Sequence, residues 1–313
     1  MICRNILEAV GNTPVIKLSK LTGPDDARVL AKFEGLNVGG SIKTRVALKI
    51  IEEAEKRGEL HEGSVIVEPT SGNQGIGLAL VGAVKGYRVI IVMPDSVSRE
   101  RRLLIAQYGA ELQLVHDSGN IGKCIEGCIE RVNTMAENDP NVFVPNQFGN
   151  PDNIRAHLEG TAKELLEQVD GPIDGFVSGV GTGGTITGFG HALKEVNPDV
   201  RICAAEPKNA AILSGGNIGT HLQMGIGDGV IPDILDMDIY SDIYIITDEE
   251  ALTTTQRLAK EEGILCGISS GTNVCAALKL ARELGKGKTV ATVLPDTGER
   301  YFSTPLFETV YYK

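Results

Sequence analysis

The chain has 313 residues, 42% of them hydrophobic and 23% charged, a balance that suits a folded chain with a sizeable core and excludes a largely disordered one. Its net charge of -11 argues against nucleic acid or an anionic membrane as partner, because either needs a concentrated basic face. No apolar run approaches the roughly 20 residues of a membrane span, and the first residues lack a signal-peptide core, so a cytoplasmic location is expected.

In chain order, buried strands are expected at VLAKFE (29–34), SVIVEPT (64–70), RVIIVMP (88–94), FVPNQF (143–148), DGFVSGV (174–180), VRICAAEP (200–207) and TVATVLPD (289–296). Between them, stretches such as TRVALKIIEEAEKRGEL (44–60) and ALTTTQRLAKEEG (251–263) carry apolar residues at helical spacing and close near glycine. This alternation specifies an α/β fold with parallel sheets covered by helices. Polar, glycine-rich punctuation near 37–41 and 145–150 encloses a self-contained βα segment, read as a smaller lobe with a ligand cleft beside it. Six cysteines form no CxxC pair and no Cys/His cluster, so no zinc site or disulfide framework is signalled. Cys124 and Cys128, four apart on one helix face, are read as packing residues.

Five segments carry the features of a chemical site. NVGGSIKTR (37–45) sets Lys43 after two glycines and a serine at a helix opening, where the positive helix end and burial both disfavour the ammonium form. Such an amine forms imines and shuttles protons, although the same pattern also describes a solvated lysine at a helix start. EPTSGNQGIGLAL (68–80) follows a strand with hydroxyls and glycines that converge on an anion, a carboxylate being the natural guest. SGVGTGGTITGFG (178–190) repeats that strand–loop–helix pattern without a lysine, as a phosphate cup or a tight structural turn. GILCGISSGTN (263–273) and PDTGERYFST (295–304) place further hydroxyls after element ends; Ser270 reads equally as a hydrogen-bond partner for a pyridine nitrogen and as a helix cap.

Taken together and in this order, the motifs from GNTP (11–14) to GERYFST (298–304) resemble the cysteine synthase family of fold type II pyridoxal-phosphate enzymes. The resemblance implies pyridoxal 5'-phosphate held by Lys43, with Asn73 at the ring's 3-oxygen. Its phosphate would lie on Gly181, Thr182, Gly183, Gly184 and Thr185, with Ser270 facing the ring nitrogen. It implies a substrate carboxylate bound by Thr70, Ser71, Gln74 and Gln147. It further implies a large domain of residues 1–39 and 146–313, a small mobile domain of 40–145, and a homodimer. Serine acetyltransferase is a further partner implied by the family. The chemistry implied is β-replacement on a small amino acid through an aminoacrylate, with Lys43 as proton shuttle.

Three positions depart from the commonest family form: Val38 in Asn-Val-Gly-Gly-Ser, Gln74 in TSGNQG, and Asp228 in GIGDG (225–229). A carboxylate at 228 opposes an incoming hydrosulfide anion yet can act as a general base on water or a thiol. The expected reaction is therefore release of hydrogen sulfide from L-cysteine and addition of water, activated by Asp228, to give L-serine. The alternative role for Asp228 is to cap its turn or pair with a cation. Alternative functions are O-acetyl-L-serine sulfhydrylase activity, lanthionine or cystathionine formation, and an inactive relative that binds a partner.

Overall fold

The computed structural model describes residues 2–119 and 121–308. Two sheets organise them. The larger runs β1 (Val15–Leu18), β2 (Arg28–Phe33), β10 (Thr289–Leu294), β7 (Gly175–Gly179), β8 (Arg201–Pro207) and β9 (Asp242–Ile246), in that spatial order. The smaller runs β5 (Glu111–Val115), β4 (Arg88–Pro94), β3 (Val65–Pro69) and β6 (Val142–Phe143). Every pairing is parallel except β1 with β2. The all-buried TVATVL of β10 sits at the centre of the larger sheet, as expected of a strand covered by helices on both faces.

The helices follow from the periodicity. α1 (Lys43–Arg57) buries Val46, Ala47, Ile50, Ile51 and Ala54 along one stripe and ends on Gly58 at φ 74°, the left-handed cap that glycine adopts without a Cβ clash. It packs on α2 (Asn73–Lys85), and α3 (Arg99–Gln107) and α4 (Ile121–Asn138) complete the cover of the smaller sheet. α5 (Asp152–Ala156) and α6 (Ala162–Gln168) are joined through one wide turn at His157–Thr161. α7 (Gly184–Val196), α8 (Asp248–Glu262) and α9 (Ile268–Leu284) flank the larger sheet, and α10 (Pro305–Glu308) follows β10. A reciprocal Thr247–Glu250 capping box fixes the start of α8.

One expected strand is cut short. The segment 143–148 contributes only its first residue to β6, and the chain then turns. Pro145 has no N–H to give a ladder, Asn146 takes φ 51°, and the N–H groups of Asn146 and Gln147 donate to the Glu68 carboxylate instead. Strands β1, β5 and β9 were not foreseen; they lie at sheet edges and are only partly buried.

Candidate active site

The carboxyl ends of β3, β4, β7 and β10 deliver Glu68, Pro69, Pro94, Ser178, Gly179 and Val293 to one cavity of about 640 Å³, the place where open α/β sheets bind ligands. Lys43 enters it from the first residue of α1, and its Nζ donates to Thr182 Oγ1 at 3.2 Å. Burial brings the amine down to about 8, against the opposing pull of Asp228 and Glu68. A deprotonated, nucleophilic amine is therefore accessible near neutral pH.

Facing Lys43, Gly181–Thr185 forms a cradle that runs into α7, whose first N–H groups have no carbonyl partner within the helix. A Cβ on Gly181 would stand 2.4 Å from the Gly225 carbonyl, so only glycine permits this approach. Gly184 opens α7 behind the cradle against Asn153, where a Cβ would meet Asn153 Oδ1. Asn153 Nδ2 donates to Thr182 Oγ1 at 3.0 Å, and His157 Nε2 lies 3.4 Å from Thr185 Oγ1. Burial first, and then Lys43 and Arg45, hold His157 well below the usual imidazole range. It is a neutral partner beneath the cradle.

The other wall gathers Thr70, Ser71, Asn73, Gln74 and Gln147. Thr70 Oγ1 accepts from Gly72 N at 3.2 Å, closing the turn before α2. Asn73 is held on both sides: its Nδ2 donates to Asp296 Oδ2 and its Oδ1 accepts from Arg300. Gln74 is 1% exposed, and neither end of its amide has a partner. An unpaired buried amide costs about 1–3 kcal/mol, so this side chain is suited to a ligand or water in the cavity. The Gln147 side chain is likewise uncommitted, while its backbone is pinned by Glu68 and Asn153.

Ser270 does not line the cavity. The hydroxyl lining the cavity at the start of α9 belongs to Ser269, and Ser270 is fully buried with its Oγ unpartnered. One residue along a helix turns a side chain by about 100°, and the repeated serine conceals which of the two faces inward. Asp228 reaches the cavity on a loop where Gly225, Gly227 and Gly229 all have positive φ. Among the described residues its carboxylate makes no hydrogen bond or ion pair, which leaves the cap and cation-pair alternatives without support. Burial pushes it above the usual carboxylate range, with Lys43, His221 and Arg101 pulling the other way.

Several residues of the site were not read from the sequence. Glu68 at the end of β3, Arg101 on α3, Asn153 on α5 and His157 all border it or brace it. Glu68 stands in the quoted EPTSGN motif, so the motif itself carried the signal. Cys128 packs in the core beside β4 and also lines the cavity, where burial pushes its thiol up to about 12. Among the described residues no group of three or more His, Cys, Asp or Glu side chains is placed to hold a metal ion. No helix among them is long and apolar enough to cross a membrane.

A buried amine, a glycine cradle at a helix amino end and an inward hydroxyl opposite it fit pyridoxal phosphate, and the fold and site define an enzyme that uses it. Residues 6–296 match the family described as pyridoxal-phosphate dependent enzyme. Within it the chain belongs to the cysteine synthase family. It is 48% identical to a cysteine synthase of Staphylococcus aureus over 304 residues, covering 97% of this chain and 96% of that one. The crystal structure of an O-ureido-L-serine synthase superposes with a TM-score of 0.94 at 41% identity, covering 100% of this chain and 98% of that one. A hydrogen sulfide-producing enzyme, solved as an aspartate-to-asparagine variant with an α-aminoacrylate intermediate, superposes with a TM-score of 0.89. It is 38% identical, covering 98% of this chain and 92% of that one.

Proposed function

We propose that this β-replacing enzyme converts L-cysteine and water into L-serine and hydrogen sulfide, with Asp228 as the general base on water. The observation that carries the reading is an uncommitted, partly buried carboxylate in the same cavity as Lys43. When bound, pyridoxal phosphate supplies the electron sink that lets the α-proton and the β-substituent leave. Lys43, with an amine lowered to about 8, holds and moves the α-proton. Thr70, Ser71, Gln74 and Gln147 orient the amino-acid carboxylate, and the cradle from Gly181 to Thr185 holds the phosphate. Asn73 and the cavity-facing Ser269 align the ring.

The sulfur leaves as hydrogen sulfide after taking a proton from solvent, and Asp228 gives one back to solvent at the end of the cycle. Water then loses a proton to Asp228 as its oxygen bonds to the β-carbon, and Lys43 returns a proton to the α-carbon. A carboxylate raised above its usual range is a better-matched base near neutral pH than an ordinary aspartate. The hydrogen sulfide-producing relative whose aspartate variant holds an α-aminoacrylate supports this reading.

The second reading, O-acetyl-L-serine sulfhydrylase, is favoured by the Staphylococcus aureus relative. The same proposal takes residues 40–145, which contain the whole smaller sheet, as a domain closing over substrate on 1–39 and 146–313. It also carries a homodimer, a cytoplasmic setting and capture of a serine acetyltransferase, none of which the reaction requires.

The experiment compares L-cysteine alone with O-acetyl-L-serine plus sulfide, following sulfide, serine and cysteine. The expected result is steady serine and sulfide from cysteine. In Asp228→Asn, about one equivalent of sulfide per site should be followed by turnover slower by ~10²- to 10⁴-fold, the range for a lost general base. Serine formation undiminished in that variant, or cysteine synthesis with no serine from cysteine, would overturn the reading.

A further inference from the structure

The mechanism leaves one buried acid of the cavity without a task. Glu68 is 1% exposed at the carboxyl end of β3, and among the described residues no cation pairs with it; its partners are two backbone N–H groups. Its two oxygens are used separately: Oε2 accepts from Asn146 N at 3.0 Å and Oε1 from Gln147 N at 3.1 Å. Consecutive N–H groups can converge on one carboxylate only if the chain bends sharply there. Asn146 supplies the bend at φ 51°, one of only two non-glycine residues with positive φ among those described.

The next links run to the reacting centre. The carbonyl of Gln147 accepts from Asn153 Nδ2 at 2.8 Å, the same Nδ2 donates to Thr182 Oγ1 at 3.0 Å, and Lys43 Nζ donates to Thr182 Oγ1 at 3.2 Å. Gln147 is thus fixed by its N–H from the smaller sheet and by its carbonyl from the side of the phosphate cradle. Its side-chain amide alone remains free, and it faces the cavity.

We propose that Glu68 is a positioning residue that clasps the Asn146–Gln147 turn and so aims the Gln147 amide at the substrate carboxylate. The inference rests on Gln147 as a carboxylate ligand but is independent of which nucleophile follows. Burial raises the Glu68 carboxyl to about 7, while the N–H groups of Gln147 and Asn146, and then Lys43, pull it down. The protein keeps an acid here although a buried carboxylate is disfavoured, and the doubled N–H clasp is what an amide cannot reproduce.

The test uses the cofactor-loaded enzyme. In Glu68→Gln one oxygen becomes an NH₂ that confronts a backbone N–H, so the turn loses half its clasp. KM for the amino-acid donor should rise about tenfold, equivalent to one lost hydrogen bond of ~1.4 kcal/mol, with kcat within about threefold and cofactor content unchanged. Glu68→Asp retains both acceptors one methylene short and should give an intermediate rise; it also serves if the Gln variant does not fold. Gln147→Ala should raise KM by a similar factor, and adding Glu68→Gln to it should change KM less than about twofold, because coupled residues are not additive. Full additivity in the double variant, or loss of kcat and cofactor at constant KM, overturns the role of Glu68. An unchanged KM in Gln147→Ala alone overturns instead the assignment of Gln147.

Discussion

Lys43 and Arg45 stand two residues apart in the first turn of α1, and the two sides of that turn treat buried charge in opposite ways. Arg45 donates to Glu34 through Nε at 2.8 Å and Nη2 at 2.9 Å, and to Glu164 through Nη1 at 2.6 Å and Nη2 at 2.7 Å. Glu164 also takes Lys32 Nζ at 2.8 Å, and Lys32 donates further to the Thr13 carbonyl at 2.7 Å and to Gln168 Oε1 at 2.8 Å. Despite burial, the Arg45 and Lys32 partners bring the Glu164 carboxyl down to about 2. On the cavity side Lys43 meets only a threonine hydroxyl, and both Glu68 and Asp228 are pushed up by burial without an ion pair. Paired charges build the frame; on the cavity side Lys43 and Asp228 are left for substrate, while Glu68 holds the Asn146–Gln147 turn.

Three measurements break or sharpen that contrast. The largest effect is expected from Lys43→Ala, which should reduce turnover by ~10³-fold or more, as loss of the nucleophile and proton shuttle demands. Its urea midpoint should not fall, since no strong partner is stranded. Glu164→Ala should do the reverse, costing about 3–5 kcal/mol because Lys32 is left buried without its ion-pair partner and Arg45 keeps only Glu34. Turnover per folded molecule should fall less than about tenfold. Equal destabilisation by the two substitutions would erase the distinction.

The smallest effect is a slope in pH, and its sign differs between the two sides. The Glu164 pairing is fully present above the ordinary carboxylate value and is lost as pH falls through about 2. Glu68 is raised to about 7, so its proton favours the folded state; that contribution is complete below its ordinary value and lost as pH rises through about 7. The urea midpoint of the unaltered protein, measured against Glu68→Gln, should therefore decline between about pH 5 and about pH 8. A flat difference would mean that Glu68 has an unshifted carboxyl.

Much of the frame was legible because it depends on local pattern. Alternating buried runs and helical stripes marked most of the inner strands, and glycine marked the helix ends. The edge strands β1, β5 and β9 were missed because half-exposed edges show little apolar excess. Segment 143–148 looked like a strand by composition, but its N–H groups answer to a carboxylate about 80 residues earlier in the chain, which no local pattern displays. The expected cofactor-site positions rest on motif order. Choosing Ser269 over Ser270 required the phase of α9, and recognising Arg45 as frame and Glu68 as clasp required knowing which charges meet.

The close approach of Gly181 to the Gly225 carbonyl has a consequence for substitution at the neighbouring loop. The loop that carries position 228 is seated on the cradle backbone to backbone, and the Asp228 side chain takes no part in holding it. Residue 228 is therefore an exchangeable fitting: a side-chain replacement there leaves the backbone contact that seats the loop on the cradle in place.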